Sequence, residues 1–131
     1  MIGLDTNVLV RYVMQDDVRQ SAKATKLLES LSLESKGFVS LVALIQSVWV
    51  LECCYELKKP QVVMTIEQLL RSRELLIESS ESVWKALRVF RGATADFADS
   101  VIDAASHQAG CATVMTFDRA ASKLNGITLL E

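Results

Sequence analysis

Oxygen-bearing side chains gather in three short segments of this chain. These segments contribute Asp5, Thr6, Asn7, Asp96, Asp99, Thr116 and Asp118. Hard divalent cations such as Mg²⁺ are held in proteins by clustered oxygen ligands, most of them carboxylates. A cation held in this way can activate a water molecule and stabilise the charge that develops when a phosphodiester is attacked. The residue types and their grouping therefore predict a metal site with phosphodiester chemistry.

Each acid also has a structural interpretation that competes with metal binding. Asp5, Asp96 and Asp118 all lie where a predicted helix begins, and aspartate is a preferred helix N-cap. Considered alone, Asp5 is better explained as a cap. Asp103 continues the helical face of Asp96, and we expect it to lie on a solvated surface. His107, one turn further along, is expected to be a surface residue as well.

Apolar strand-like runs alternate with helical patterns along the chain. The predicted strands cover residues 2–4, 37–39, 75–77, 112–116 and 127–130. The predicted helices cover residues 8–14, a second helix capped by Asp16 or Asp17, and then 40–57, 60–73, 79–91, 96–108 and 119–123. Short apolar strands separated by helices are typical of a parallel sheet covered on both faces. Binding sites in such sheets lie beyond the carboxyl ends of the strands, so Asp5 and Asp118 should project toward one.

The composition limits the class of protein. The 131 residues fit one domain, half of them are hydrophobic, and the net charge of −2 provides no overall basic field for nucleic acid. Local basic patches can still bind phosphate. Cys53, Cys54 and Cys111 form no disulfide or zinc pattern, so we expect buried, reduced thiols in a cytoplasmic protein. No apolar run reaches the length of a membrane span.

Four segments, taken in order, resemble a known family. They are "GLDTNVLVRYVMQDD", "FVSLVALIQSVWVLECCYEL", "ADFADSVIDAASHQAGC" and "TVMTFDRAASKL". Each segment is weak evidence alone, but their order and spacing resemble the PIN-domain ribonucleases, in particular VapC toxins of type II toxin–antitoxin systems. The resemblance covers nearly the whole chain. It implies one PIN domain over residues 1–131, an α/β fold in which a central, mainly parallel sheet lies within a three-layer α/β/α sandwich.

The resemblance also assigns the site residues and exposes one departure. Asp5, Asp99 and Asp118 match three of the four family acids that hold the metal. The second acid, a glutamate, falls on Gln46. An amide keeps the shape and one acceptor oxygen, but it removes a negative charge and places N–H donors where a cation or its water would lie. The remaining matches, an extra acid and the polar companions, are Asp96, Thr6, Asn7 and Thr116.

The family role implied by the resemblance is concrete. It is a Mg²⁺-dependent endoribonuclease, with Mn²⁺ as an alternative ion, that cleaves RNA such as tRNA. The implied partners are a VapB-type antitoxin and a second copy of the chain in a homodimer, with no membrane. We expect Gln46 to weaken metal binding, activity or both. An introduced substitution explains the glutamine better than a naturally weakened relative does, because an active toxin harms the cell that makes it.

Two other functions stay open from the residues. Gln46 favours a catalytically silent module that binds an antitoxin and acts in operator autoregulation, which metal titration would distinguish from an enzyme. A phosphorylation-dependent signalling domain also gathers acids at strand ends, but it needs a lysine after the last strand, where this chain has Glu131. Basic residues that could guide a polyanion are scattered, and the first two helices carry Arg11, Arg19, Lys23 and Lys26.

Overall fold

The computed structural model describes residues 1–131, which divide into two units, Met1–Glu78 and Ser79–Glu131. The first unit contains β1 (Ile2–Gly3), α1 (Thr6–Met14), α2 (Val18–Glu29), β2 (Gly37–Val39), α3 (Leu41–Cys53), α4 (Lys59–Arg71) and β3 (Leu75–Ile77). The second contains α5 (Ser80–Gly92), α6 (Phe97–Gln108), β4 (Val114–Thr116), a 3₁₀ helix (Ala121–Lys123) and β5 (Ile127–Leu129). That the whole chain is a single domain stays a prediction.

The sheet of the first unit has three parallel strands in the order β1-β2-β3. The central strand, β2, pairs through Gly37 with Ile2 on one side and Leu75 on the other. A Cβ atom at Gly37 would lie 2.9 Å from methyl groups of Leu31 and Leu4, so the apolar side chains close directly over the backbone there. Every strand pair in the molecule is parallel, as the sequence predicts.

Helix α3 begins where the sequence predicts but ends earlier. The Ser40 side chain accepts a hydrogen bond from the Ala43 N–H group, which caps the first turn. The predicted end at residue 57 is wrong, because the helix stops at Cys53. Glu56 then adopts a left-handed conformation with φ of 54°. This conformation is uncommon for a residue other than glycine, so the sequence carries no local signal for the stop.

The second unit packs α5 against α6 and carries a small sheet of β4 and β5. Phe90 and Phe97 are fully buried, with ring centroids 5.6 Å apart in an edge-on arrangement that aromatic pairs prefer. A second cluster of buried apolar residues supports the small sheet and the segment before α6, and its members are Ala95, Ala121, Leu124 and Ile127. These contacts fix the ends of α6 and β4, which carry the acids of this unit.

The cysteines correct one expectation and agree with another. Cys53, Cys54 and Cys111 are all free, as expected, but the prediction that they are buried is wrong, since all three are exposed. They follow or end helices, where the chain turns at the surface rather than through an apolar layer. Not one of the six α-helices combines the length and hydrophobicity that crossing a bilayer requires.

Candidate functional site

Asp5 lies between β1 and α1 and acts as the N-cap of that helix. Its Oδ1 atom accepts a hydrogen bond of 2.7 Å from the Thr6 N–H group, and its backbone is extended, as an N-cap requires. The residue is exposed at the carboxyl end of the strand, where parallel sheets place their sites. The hydrogen bond uses Oδ1, so Oδ2 is still available as an acceptor for another group.

Gln46, on α3, contacts Thr6, the residue that follows Asp5. The Thr6 hydroxyl donates a hydrogen bond of 2.8 Å to Gln46 Oε1. Thr6 is 9% exposed, so its hydroxyl needs a partner within the protein, and the glutamine supplies it. Gln46 Oε1 accepts this hydrogen bond, and the amide NH₂ beside it is a donor that repels a cation.

A surface pocket of about 300 Å³ lies beside Asp5 and Gln46 in the first unit. Its lining combines the acid, the amide and one arginine with apolar and aromatic side chains. The lining residues are Asp5, Thr6, Asn7, Val10, Arg11, Gln46, Val50 and Tyr55. The two predicted polar companions, Thr6 and Asn7, therefore line one pocket with Asp5 and with Gln46, the residue at the second acidic position.

In the second unit, Asp96 and Asp99 meet at the start of α6. Asp96 is the N-cap, and its Oδ1 atom accepts a hydrogen bond of 2.7 Å from the Asp99 N–H group. Burial raises the pKa of Asp99 above its ordinary value, and the negative charges of Asp96 and then Asp118 raise it further. The Asp99 carboxylate is thus close enough to Asp96 and Asp118 to be repelled by both.

Asp118 caps the turn that leads into the 3₁₀ helix. Its Oδ1 atom accepts a hydrogen bond of 2.8 Å from the Ala120 N–H group. Thr116, the last residue of β4, fixes this turn because its hydroxyl oxygen accepts a hydrogen bond of 3.0 Å from the Asp118 N–H group. The sequence identified Thr116 as a polar companion of the acids, and its hydrogen-bond partner in the structure is the backbone of Asp118.

The donor chemistry of these acids fits a hard divalent cation. Asp5, Asp96 and Asp118 all cap through Oδ1, so capping leaves the second oxygen of each carboxylate for coordination. No three histidine, cysteine or acidic side chains are grouped closely enough to chelate an ion. Repulsion around Asp99 is the feature that a bound cation would relieve.

Asp103 and His107 form a separate structural pair. The expectation of a solvated Asp103 is wrong, because its side chain is only 13% exposed and its Oδ1 atom lies 3.0 Å from His107 Nε2. The other ring nitrogen of His107 lies 3.1 Å from the Cys111 carbonyl oxygen. A Cβ atom at Gly126 would collide with both side chains of the pair, so α6 lies directly against the backbone there. The spacing of four residues was visible in the sequence, but this packing was not.

Comparison with known proteins identifies the family. A sequence model of the PIN domain family matches residues 2–127. The chain belongs to the PIN domain family. The match spans both units and confirms both the predicted resemblance and the α/β fold class with its parallel sheet. No curated protein sequence matches the chain.

One solved structure similar to this PIN domain is a Mycobacterium tuberculosis protein, VapC20, described as a toxin that cleaves the sarcin–ricin loop. The two chains share 18% sequence identity, 96% of each chain is covered, and the TM-score is 0.47. Membership of the PIN family therefore rests on the sequence match over residues 2–127 and not on this likeness.

The PIN domain also contains a cluster that the sequence analysis missed. Arg11 donates hydrogen bonds through Nη1 to both carboxylate oxygens of Asp16, at 3.1 Å each, and to the Tyr55 hydroxyl at 2.9 Å. Tyr55 in turn donates to Asp16 at 2.7 Å across 39 residues of sequence. The hydrogen bond from Tyr55 is the main reason why the pKa of Asp16 lies below its ordinary value. The proximity of Arg11 and Asp16 was readable from the sequence, but the contribution of Tyr55 was not.

Proposed function

We propose that this protein is a metal-dependent endoribonuclease and the toxin component of a VapBC-type toxin–antitoxin pair. Membership of the PIN family over residues 2–127 is the observation that carries the proposal. The acids at the ends of β1 and β4 and at the start of α6 support it, because each keeps a carboxylate oxygen for a ligand. The substrate we propose is RNA, including structured RNA such as tRNA.

The proposal assigns Mg²⁺, or Mn²⁺ in its place, to Asp5, Asp99 and Asp118, with position 46 as the fourth member of the set. Such an ion supplies a water molecule of lowered pKa and stabilises negative charge on the phosphate. Asp96 and Thr116 position their neighbours through the Asp99 and Asp118 N–H groups. Thr6 orients the side chain at position 46 through its hydroxyl.

Gln46 weakens this chain as an enzyme. A glutamate would accept the same hydrogen bond from Thr6 and bring a negative charge, whereas the glutamine adds donors to the pocket. We propose that the chain binds a VapB-type antitoxin whose basic side chain enters the acidic pocket, and that the chain forms a homodimer. The missing charge at position 46 should weaken that basic contact.

The deciding experiment is RNA cleavage with Mg²⁺ and with Mn²⁺, on total RNA and on a tRNA pool. The parent chain is compared with Gln46→Glu, and Gln46→Glu carrying Asp5→Asn serves as the blank. We expect cleavage to rise by at least about 100-fold in the glutamate form and to vanish in the blank. Absence of cleavage by Gln46→Glu on both substrates would contradict the nuclease assignment.

A second candidate function rests on the same hydrogen bond. Gln46 Oε1 completes the hydrogen bonding of the largely buried Thr6, so a neutral side chain is well accommodated at this position. That accommodation favours a silent module that holds an antitoxin without cleaving RNA. Titration of the parent chain with Mn²⁺ separates the two candidates, since an enzyme binds the ion weakly through its remaining acids and a silent module does not bind it.

A further inference from the structure

Arg11 is held firmly even though its side chain is 31% exposed. Nη1 is bound by Asp16 and Tyr55, and Nε donates a hydrogen bond of 2.8 Å to Gln20 Oε1. These partners come from the α1–α2 connection, from α2 and from the segment after α3. A single exposed ion pair seldom orders an arginine, because side-chain entropy opposes it. Three partners on three segments fix both the position and the plane of this guanidinium.

The fixed guanidinium keeps one edge unused. Arginine has five N–H donors, and the hydrogen bonds of Arg11 employ Nε and Nη1, so the two N–H groups of Nη2 are left. Arg11 also lines the pocket that contains Asp5 and Gln46. A planar guanidinium with free donors is well suited to a phosphate group, with which it forms short, charge-assisted hydrogen bonds.

A second pocket of about 280 Å³ adjoins the same arginine. Its polar lining residues are Asn7, Arg11, Gln20 and Lys23, and no acid lines it. Asn7 and Arg11 line both pockets, because residues four apart lie on one face of a helix. The Asp5 pocket and this second, more basic pocket therefore share one wall on α1. The apolar part of the second pocket is formed by Val8, Ala24 and Leu27.

We propose that Arg11 and Lys23 bind a phosphate of an RNA backbone adjacent to the phosphate that lies at the Asp5 pocket. The inference rests on the proposed ribonuclease function and adds a subsite to it. Gln20 and Asn7 contribute polar contacts, and the apolar part of the pocket accepts a ribose or base face. Asp16 and Tyr55 are positioning residues, since they act through Arg11.

RNA suits the paired pockets better than an acidic protein segment does. A nucleic acid strand presents a phosphate at each nucleotide, so one strand can place successive phosphates at two neighbouring pockets. The sequence offered Arg11, Arg19, Lys23 and Lys26 without distinguishing among them. The structure selects Arg11 and Lys23, because Arg19 and Lys26 line neither pocket.

The test uses the whole chain and a short fluorescein-labelled single-stranded RNA of mixed sequence, with EDTA present so that no cleavage occurs. Anisotropy gives Kd at several salt concentrations. Lys23→Gln is compared with Lys26→Gln, which removes the same charge from the next turn of α2. We expect Lys23→Gln to weaken binding about two- to fivefold and to reduce the salt slope by about 0.7. Lys26→Gln should change neither.

Arg11 is tested with two variants that separate its charge from its position. Arg11→Gln should weaken RNA binding roughly tenfold and reduce the salt slope, because a charge-assisted contact is lost. Tyr55→Phe keeps every charge but frees Arg11 from one partner. In the Gln46→Glu background it should raise KM about two- to threefold and leave kcat unchanged. A purely structural role for Tyr55 would lower Tm without moving KM.

The outcomes are distinguishable. If Gln46→Glu cleaves RNA while Lys23→Gln and Arg11→Gln bind RNA as the parent does, the subsite is wrong and the nuclease function stands. If the glutamate form does not cleave and the parent shows no salt-dependent binding, both are wrong. Binding of poly-glutamate that depends on Lys23, together with RNA binding that does not, would overturn the subsite in favour of an acidic protein partner.

Discussion

In the first unit, the aspartate with a shifted pKa is stabilised in its charged form, whereas in the second unit it is stabilised in its neutral form. Asp16 has a lowered pKa, chiefly because the Tyr55 hydroxyl donates a hydrogen bond to it, with Arg11 adding a positive charge. Asp99 has a raised pKa, because burial and the charges of Asp96 and Asp118 disfavour its ionised form. The charge of Asp16 is balanced by its neighbours, and that of Asp99 is not.

The difference concerns the charge that each unit offers to a cation. In the second unit, negative charges repel Asp99, and a cation would relieve this repulsion. In the first unit, Thr6 is hydrogen-bonded to Gln46, whose side chain carries no charge. Gln46 fits that frame through Thr6, so the departure from the family pattern alters charge more than shape. Variants that change one charge or one hydrogen bond can show whether charge alone distinguishes the two units.

The largest effect should appear in metal affinity. Changing Gln46 to glutamate adds a carboxylate to the Asp5 pocket, and we expect Mn²⁺ to bind about 10- to 100-fold more tightly. Calorimetric titration measures the affinity. Gln68→Glu is the matched control, because it adds the same charge on an exposed face of α4. Equal gains from the two variants would show that net charge, and not the pocket, attracts the ion.

The capping acids should differ in what they contribute to stability. Asp5→Ala removes the cap of α1, and we expect the free energy of unfolding to fall by about 1 kcal/mol. Asp96→Ala also removes a cap, but it relieves the repulsion on Asp99, so its loss should be smaller by a few tenths of a kcal/mol. Urea denaturation of both variants gives the comparison. A larger loss for Asp96→Ala would contradict the repulsion argument.

The hydrogen bond between Thr6 and Gln46 should have a modest effect. Thr6→Val removes the hydroxyl donor and leaves the amide oxygen in reach of water, so we expect a loss of about 0.5–1 kcal/mol. In the Gln46→Glu background the same change should be more damaging, because hydrogen bonds to a charged acceptor are stronger. A double-mutant cycle measured by denaturation yields the coupling. Zero coupling would mean that Thr6 does not hold position 46.

The smallest and most specific effect is the dependence on pH. The pKa of Asp16 should lie below its ordinary value of 3.8 and that of Asp99 above it. Asp16 therefore stabilises the folded state above its ordinary pKa and loses this contribution as the pH falls through the lowered pKa. Asp99 does the reverse, since it destabilises the folded state as the pH rises through its raised pKa. Carboxyl chemical shifts followed by NMR would measure both, and shifts in the same direction would remove the contrast.

Much of the fold was predictable because its signals are local. The strands at residues 37–39 and 75–77 were placed correctly from short apolar runs with turn residues around them. The N-caps at Ser40 and Asp96 follow from side-chain chemistry that acts within one turn. The end of α3 at Cys53 was missed, and the left-handed conformation of Glu56 beyond it has no signal in the sequence.

The sequence could propose the residues of the candidate site, but it could not predict their contacts. Family resemblance selected Asp5, Gln46, Asp99 and Asp118, and the polar companion Thr6. The Thr6–Gln46 hydrogen bond joins residues 40 apart, and it depends on how α1 packs against α3, which no local pattern encodes. Tyr55 was missed for the same reason, because its partners Arg11 and Asp16 lie far from it in the sequence.

Only one oxygen of each capping carboxylate takes part in capping, which bears on how such proteins evolve. At Asp5, Asp96 and Asp118, Oδ1 supports a helix or turn. An asparagine in any of these places keeps an oxygen for that task and discards the negative charge. One nucleotide change converts an aspartate codon to asparagine, and one converts glutamate to glutamine. Relatives that lack one of these charges but keep the fold therefore lie a single mutational step away, and a lineage can remove the charge while the capping contact stays in place.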